Sequence, residues 1–526
     1  MLSTTHHRWI YLAGLALIVI GLPFSKAFIS IGEIVIAVNF LLEGRIKERW
    51  NELKQNRTAL LFVAFFFVHI LALLWTNDLS FALKDLRVKL PLLLFPVVIP
   101  LSPKLSRKEF HWIVGLFILA VLITSVMSTY QYIHVRDILG TDYRDLSLFT
   151  SHIRYSLMVC FAYLFLLYAA WNESKNILSK LTYVALAIWL SVFIFILQSM
   201  TGMIVWFMCS YLLLLYTMFH IQSQRIRTIG FTVLVVTPLI IGSYVLLQID
   251  AYYPNEKPDF SNLDQYSAGG ELYDSDTTNL SLENGHYTQL YRAHNEMTRE
   301  WEERSPIPIK EGRDRKGHFV RTTLIRYLTS KGLRKDSVGV NSLTDDDVHA
   351  IENGIANVRF TYGNPIDNRI YIVIWEFDRL LREKRVQGHS VTQRILFWKT
   401  GWEIFKENWL FGVGTGDANR AFNAKYDEQV EALPDQYRLR AHNQFLTVGI
   451  TMGILGLLIF LIGAAYPFTK LKTANSFLYI GFAIILYVSM FNEDTLETQV
   501  GVTLFAFFNA LLLFGYSADS EEMTSL

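Results

Sequence analysis

The residues best suited to chemistry lie toward the C-terminus, where a glycine-rich loop precedes a cluster of polar side chains. The loop and the cluster contain Gly412, Gly414, Gly416, Arg440, His442 and Asn443. Histidine exchanges protons near neutral pH, and arginine binds anionic oxygens through several N–H groups. Glycine lets a backbone approach a ligand closely. This combination predicts proton transfer beside a bound anion, where a hydrophobic helix meets water.

The glycine-rich loop invites comparison with nucleotide-binding motifs, but its surroundings argue against that function. A dinucleotide-binding fingerprint follows a strand and begins a helix, whereas this loop follows an amphipathic helix. A lone histidine near a helix end is more often a structural residue than a base. The adjacent arginine and the expected position at a membrane surface are what favour a catalytic role for His442.

Composition places the chain among multi-pass membrane proteins. Its 526 residues are 52% hydrophobic and 18% charged, which is more apolar than most soluble domains. Apolar runs near the roughly 20 residues that cross a bilayer predict about twelve transmembrane helices. The predicted spans cover residues 8–24, 28–43, 59–75, 88–102, 112–131, 155–171, 183–198, 201–219, 229–248, 442–467, 475–490 and 499–516. The first span is expected to be retained, because another span and no small-residue cleavage site follows it.

Basic residues between the spans predict the orientation of the chain. Lysine and arginine accumulate after the even-numbered spans, and such residues face the cytoplasm. Both termini are then cytoplasmic, and the polar segment before the tenth span lies outside. Arg154, Arg394, Lys84 and Arg87 fall on the same outer side as His442. We therefore expect an outward-facing cationic site that binds an anionic ligand.

Other kinds of site have little support in the sequence. The net charge of +1, with no basic stripe, does not indicate nucleic-acid binding. Cys160 and Cys209 both lie in predicted spans and form neither a disulfide framework nor a zinc motif. The acidic run at 274–283 lacks the glycine and the final glutamate of an EF-hand, so a solvated loop is the better interpretation. We expect no metal and no cofactor.

The polar segment 249–390 is predicted to form a soluble insert. Its predicted helices cover residues 287–303, 321–331 and 344–353. Thr344 and Asp347 have the spacing of a capping box at the start of the last of these helices. Residues 369–377 are rich in isoleucine and valine, which predicts a strand. We expect the insert to overhang the site and to help hold an acceptor.

The segment 391–410 predicts an amphipathic helix rich in tryptophan. Its apolar residues at helical spacing are Ile395, Trp398, Trp402, Phe405 and Trp409. Such a face suits the headgroup level of a membrane. An ordinary packed helix is the alternative, but we favour an interfacial helix that lines the site.

In their order, spacing and predicted membrane side, these motifs resemble the signature region of the bacterial O-antigen ligase and polymerase superfamily. The matching residues are Arg394 with Trp398, the glycines of 412–416, the stretch 441–446, Gly449, Gly453, Gly456 and the stretch 492–494. The layout of about twelve spans with a large outer loop before the signature is similar as well. The loop sequence at 323–332 resembles a branch found in Bacteroidetes-type bacteria.

The resemblance implies an all-α, GT-C-like membrane protein with a large periplasmic loop domain between the ninth and tenth spans. It implies a metal-independent glycosyltransferase of the bacterial inner membrane that moves a glycan from undecaprenyl pyrophosphate to lipid A core in the periplasm. His442 would be the general base, and Arg154 and Arg394 would bind the pyrophosphate. Substrate contacts are expected from Arg440, Asn443, Gly412, Gly414, Gly416, Lys84 and Arg87. Its partners would be donor, acceptor and membrane lipids, without nucleic acid.

The acceptor stays open at this point. A polymerase would extend another lipid-linked glycan, and a protein O-oligosaccharyltransferase would modify serine or threonine. A transporter or flippase is a more distant alternative, which the lack of a convincing internal repeat disfavours. The chain also departs from the family, since the turn 199–202 reads Ser-Met-Thr-Gly where family members often have Ser-Arg-Thr-Gly. Either Arg154 or another cation takes over that contact, or that arginine is not essential.

These expectations divide the chain into consecutive parts. They are an N-terminal bundle of about nine helices at 1–248, the periplasmic insert at 249–390, the interfacial helix and glycine loop at 391–441, a C-terminal bundle of about three helices at 442–516, and a cytoplasmic tail at 517–526.

Overall fold

Helices form most of the regular structure of this chain. The computed structural model describes residues 3–44, 46–139, 146–174, 176–254, 258–383, 390–428, 433–471 and 476–516. Within these residues the only sheet is a two-stranded antiparallel ribbon. The predicted all-α class is therefore confirmed, while the predicted tail at 517–526 lies outside the described residues.

The elements follow one another in chain order. The first helices are α1 (Thr4–Phe24), α2 (Lys26–Glu43), α3 (Ile46–Gln55), α4 (Arg57–Leu71), α5 (Leu79–Lys89), α6 (Pro91–Leu101), α7 (Arg107–Leu139), α8 (His152–Asn172), α9 (Ile177–Leu197), α10 (Met200–His220) and α11 (Gln224–Tyr252). Next come β1 (Leu282–Glu283), β2 (His286–Tyr287), α12 (His294–Arg304), α13 (Val320–Ser330), α14 (Ser337–Asn341), α15 (Asp345–Glu352), α16 (Arg359–Tyr362) and α17 (Pro365–Glu383). The last helices are α18 (Ser390–Glu407), α19 (Ala418–Glu428), α20 (Gln444–Ala465), α21 (Ser476–Ser489) and α22 (Gln499–Ala510).

The chain divides into two compact units. The first unit comprises Met1–His134, Asp142–His220 and Arg394–Leu526, and the second comprises Val135–Thr141 and Ile221–Gln393. The second unit thus contains the predicted insert together with α11.

Each predicted span overlaps a helix, but the helices differ in length. Among the described residues, eight helices are long and apolar enough to cross a membrane, or up to nine if the bent pair of α2 and α3 forms one span. Two further apolar helices, Phe477–Ser489 and Gln499–Gly515, are shorter. The predicted span 88–102 falls mainly on the short helix α6, because α5 ends at Lys89 and Pro91 begins a new helix. The membrane-protein class stands, and the count of about twelve stays a prediction.

Aromatic side chains pack the core of the first unit. The ring of Phe508 on α22 meets Phe117 of α7 at 5.0 Å and Phe161 of α8 at 4.7 Å between centroids, both edge to face. Edge-to-face pairs of this kind add to the burial of apolar area. The C-terminal helix is therefore packed among helices from the N-terminal half, which brings the segment before α22 next to early parts of the chain.

A buried carboxylate organises part of the second unit. Glu283 is 1% exposed. It accepts hydrogen bonds from Arg326 Nε at 2.5 Å, Asn357 Nδ2 at 2.8 Å and the Tyr371 hydroxyl at 2.8 Å. Because Arg326 lies on α13, Tyr371 on α17 and Asn357 in the loop before α16, the carboxylate joins β1 to all three.

The secondary structure predicted for the insert was partly wrong. The strand expected at 369–377 is the middle of α17, whose buried Tyr371, Ile374 and Asp378 recur at helical spacing. Isoleucine and valine content misled the prediction, since tertiary packing overrides strand propensity. The helix expected at 287–303 begins only at His294, because residues 286–287 pair with β1. The other two helices and the capping box of Thr344 and Asp347 are confirmed.

The tryptophans of α18 lie on a different face from the one that packs. Phe397 and Ile404 are buried in the first unit, whereas Trp398 is 37% exposed and Trp402 is 54% exposed. The helix therefore has a packed face and a separate exposed aromatic face. That arrangement favours the interfacial interpretation, which stays a prediction.

Glycines let the loop 412–416 pack against a break in α20. The helix is interrupted at Gly453, whose φ is +63°. The break frees the carbonyls of Ile450 and Thr451, which accept hydrogen bonds from Val413 N at 2.8 Å and Gly414 N at 3.0 Å. Ile454 N in turn donates to the carbonyl of Trp409 at 2.7 Å. Backbone groups released from the helix are thus satisfied by the loop, as an apolar environment requires.

We predict that Gly453→Ala destabilises the protein by about 1–3 kcal/mol, because alanine is strained at this φ and its Cβ would collide with the carbonyl of Leu410. Thermal unfolding of the purified protein in detergent measures the effect. Gly463→Ala is the matched control on the same helix, since a Cβ there meets nothing within 4 Å. Equal melting temperatures for the two variants would contradict this role for the glycine.

Candidate functional site

A cavity of about 390 Å³ in the first unit is lined by three of the side chains predicted for the site, which are Arg154, Arg440 and His442. Its lining residues are Arg154, Asn419, Phe422, Asn423, Arg438, Leu439, Arg440, His442, Glu493, Asp494, Glu497 and Thr498. Residues far apart in the chain therefore meet at one place, with acids and bases in the same wall.

His442 lies in this wall in an unusual backbone conformation. Its φ is +46°, a region that non-glycine residues rarely adopt. The side chain is 31% exposed, and its Nδ1 lies 3.9 Å from Oε2 of Glu493. That nitrogen is buried and has no hydrogen-bond partner. A small movement of either side chain would bring the imidazole and the carboxylate into hydrogen-bond contact.

Asn443 fixes the backbone next to His442. Its side chain caps α20 by accepting from Leu446 N at 3.0 Å, and its Nδ2 donates to the carbonyl of Phe491 at 3.0 Å. Its own N–H donates to Oδ1 of Asp494 at 3.1 Å. Asn443 does not line the cavity; it ties the histidine loop to the segment 491–494.

Arg394 reaches the site from α18 and holds the same segment. Its Nη2 donates to Oε1 of Glu493 at 3.1 Å, and its Nε donates to the carbonyl of Asn492 at 3.2 Å. Arg394 is absent from the cavity lining. Its immediate contacts therefore position the carboxylate that lies beside His442.

Glu497 is the centre of a buried charge network. Lys89, which is 2% exposed, donates to Glu497 at 2.8 Å and to Asp85 at 2.6 Å. Arg440 donates to the same Glu497 oxygen at 3.2 Å, and Gln444 donates to the other oxygen at 3.2 Å. Burial alone would raise the pKa of the Glu497 carboxyl, but the charges of Lys89 and Arg440 outweigh it and hold that pKa well below its usual range. The carboxylate therefore stays ionised and keeps Arg440 at the cavity wall.

Arg154, at the start of α8, is the least satisfied cation of the wall. Its Nε is buried and has no hydrogen-bond partner. Within the described residues it has no carboxylate within 4.0 Å, whereas Arg440 and Arg438 have salt bridges. A buried guanidinium in this state favours an anionic ligand.

Other residues predicted for the site lie elsewhere. Lys84 and Arg87 are on the exposed side of α5, opposite Asp85 and Lys89, and do not line the cavity. The glycine loop is also absent from the lining, and a Cβ on Gly414 or Gly416 would collide with Thr76 or Asp78. The N–H groups of Val413, Gly414 and Gly416 donate to protein oxygens. The structure therefore gives these glycines a packing role and does not bring their N–H groups to a ligand.

The turn 199–202 lies beside the site although it lacks the arginine common in the family. The Thr201 hydroxyl accepts a hydrogen bond from Asn492 Nδ2 at 2.9 Å. Asn492 directly precedes Glu493, so the turn supports the same segment that Arg394 holds.

Several site residues were missed from the sequence. Glu493 and Asp494 were noticed only as part of a motif, and Glu497 was not considered. Lys89 lies in the same basic stretch as Lys84 and Arg87, but its burial was not foreseen. These residues could have been found from the presence of carboxylates next to an apolar span, since a charged group in that position requires a charged or hydrogen-bonding partner.

The fold and the cavity define a helical membrane protein that brings an imidazole, guanidinium groups and carboxylates together in one polar site. The sequence model of the family described as O-Antigen ligase matches residues 348–461, which include Arg394, the glycine loop and His442. The chain is similar to this family over these residues, and the resemblance seen in its motifs is confirmed there. No curated protein matches the chain.

We predict that Lys89→Met destabilises the protein by about 3–5 kcal/mol, because it leaves the buried carboxylates of Asp85 and Glu497 without their shared cation. Thermal unfolding in detergent measures this loss, and Lys84→Met on the exposed face of the same helix is the control. Adding Glu497→Gln to Lys89→Met should restore part of the loss, and the absence of any restoration would contradict the coupling.

Proposed function

We propose that this protein transfers a glycan from undecaprenyl pyrophosphate to a hydroxyl group of lipid A core at the periplasmic face of the bacterial inner membrane. The observation that carries the proposal is the meeting of His442 and the unpaired Arg154 in one cavity wall, with His442 inside the region matched by the O-antigen ligase family. A histidine suits a hydroxyl acceptor, and a free guanidinium suits a phosphate.

In the proposed step His442 accepts the proton of the acceptor hydroxyl as its oxygen attacks the anomeric carbon of the glycan. The bond between that carbon and the pyrophosphate oxygen breaks, and its electron pair leaves with undecaprenyl pyrophosphate. The carboxylate of Glu493, 3.9 Å from His442 Nδ1, stabilises the imidazolium that forms. The proton then passes from His442 to water.

The guanidinium groups stabilise the negative charge of the leaving group. Arg154 and Arg440 line the cavity and bind the pyrophosphate oxygens as charge develops on them. Two of the wall carboxylates already have cationic partners, since Glu497 is held by Lys89 and Arg440, and Glu493 is held by Arg394. The third, Asp494, accepts hydrogen bonds from Asn443 N and the Thr447 hydroxyl. In this proposal the arginines take the part that a divalent cation plays in other phosphate-leaving reactions.

We predict that His442→Ala abolishes glycan transfer, with a loss of at least about 10²-fold, because the acceptor proton then has no base. Lipopolysaccharide from a deletion strain that carries the variant, resolved on a gel, shows the result. His220→Ala, at the exposed end of α10, is the control and should restore normal transfer. Normal transfer by the His442 variant would overturn the mechanism.

We predict that Arg154→Ala and Arg394→Ala also strongly reduce transfer, with residual activity that can be measured, while the protein still inserts into the membrane. Arg154→Ala removes a direct contact to the donor, so the KM for the donor should rise. Arg394→Ala frees Glu493, so kcat should fall more than the KM for the donor changes. Kinetics of the purified variants separate the two, with the exposed Arg57→Ala as control. Unchanged kinetics for Arg154→Ala would exclude it from donor binding.

The acceptor is identified by what the enzyme glycosylates. In a deletion strain we expect lipid A core to accumulate without its glycan. Accumulation of short lipid-linked glycans would assign polymerase activity to the same site, and loss of glycan from a protein would assign protein transfer.

A further inference from the structure

The second unit contains a cavity of its own, of about 860 Å³. Its described lining residues are Ala251, Tyr253, Pro254, Pro258, Asp259, Asn284, Gly285, His286, Tyr287, Leu290, Tyr291, Gly332, Leu333, Arg334 and Lys335. The volume lies within the range of cavities that hold small organic ligands. None of these residues belongs to the catalytic cavity of the first unit.

The cavity wall combines aromatic and polar surfaces. Tyr253, Tyr287 and Tyr291 give it apolar ring faces that carry hydroxyl groups. Tyr291 and Asn284 both have positive φ, at +57° and +48°. Such conformations in non-glycine residues persist where the surrounding structure holds them, and they cluster at binding sites. The wall suits a ligand with both apolar C–H faces and several hydroxyl groups, which describes a saccharide.

Lys335 places a buried amine in the cavity wall. It is 3% exposed, and its Nζ donates to the carbonyls of Tyr287 and Leu290, both at 3.1 Å. No carboxylate among the described residues forms a salt bridge with it. Burial, with a contribution from Arg292, lowers the pKa of Lys335 to about 7, although Asp336 opposes the shift. A ligand anion would supply the missing counter-charge and favour the ammonium form.

Two more basic side chains border the same space. The guanidinium of Arg334 lies 4.4 Å above the ring of Tyr291 and pairs with Asp264. His286 is exposed and packs against Gly332, where an added Cβ would lie 3.0 Å from its Nε2. In the described lining Asp259 is the single carboxylate. The cavity therefore favours a negatively charged ligand.

From this geometry we propose that the cavity of the second unit binds an anionic saccharide, a sugar that carries a carboxylate or a phosphate group. Tyrosine rings and backbone groups contact the sugar, while Lys335, Arg334 and His286 contact the anion. The inference goes beyond the transfer reaction and does not depend on His442. It gives the second unit a ligand-binding function that the family match does not assign.

The test is ligand binding to the full-length protein in detergent, carrying His442→Ala so that no reaction can occur. The probes are glucuronate, glucose 1-phosphate, glucose and inorganic phosphate, each titrated by saturation-transfer NMR. We expect saturable binding of glucuronate or glucose 1-phosphate, and binding at least about tenfold weaker for glucose and for phosphate alone. If glucose bound as tightly as the charged sugars, the proposed role of charge would be wrong. If inorganic phosphate bound as tightly, the proposed recognition of a saccharide would be wrong.

Surface variants keep the test independent of folding. Arg334→Ala and His286→Ala, both at exposed positions, should each weaken binding of the charged sugar by about fivefold or more and leave binding of glucose unchanged. Lys310→Ala is the control, because this exposed lysine does not line the cavity. Binding that is the same in all variants, or no binding of any probe, would overturn the proposal. Neither result would bear on glycan transfer, which the lipopolysaccharide gel measures separately.

Discussion

The buried carboxylate of Glu497 and the cations around it form the interaction on which the cavity of the first unit depends. Lys89 comes from α5, Arg440 from the loop before α20, and Gln444 from the start of α20 itself. A carboxylate so far from water is stable only while its partners remain in place. The same contacts that offset its burial therefore fix the position of Arg440 and the beginning of α20. One ionised group thus sets the geometry of a wall made from distant segments.

A second constraint is that backbone groups freed within apolar helices must find partners. The break at Gly453 would leave carbonyls unpaired, and the loop 412–416 supplies their donors. The glycines are required there because side chains would collide with neighbouring backbone. On the other side of α20, Asn443 caps the helix and ties it to Asp494. His442 directly precedes Asn443, whose hydrogen bonds hold the adjacent backbone and help to maintain the positive φ of His442.

Much of this organisation could be predicted from the sequence. Hydrophobic runs indicated the helices, and the motif around His442 led to the family whose model matches residues 348–461, because both are local signals. The cavity could not be predicted from local signals, because Arg154, His442 and Glu493 meet only through tertiary packing. The glycine loop was expected to face a ligand, but its surroundings are protein backbone, and Lys84 and Arg87 turned away from the cavity while Lys89 turned inward. Successive residues of a helix point about 100° apart, so a run of basic residues does not by itself show which of them faces inward. The strand expected at 369–377 failed for a related reason, as burial at helical spacing outweighed its isoleucine and valine content.

In the proposed reaction, arginine side chains and His442 perform glycan transfer without a metal ion. Purified protein with undecaprenyl-pyrophosphate-linked glycan and lipid A core, in the presence of EDTA and with mass spectrometry of the products, tests this most directly. We predict glycosylated lipid A core together with released undecaprenyl pyrophosphate, at the same rate with and without EDTA. Transfer that stops in EDTA and returns when a divalent cation is added would contradict it.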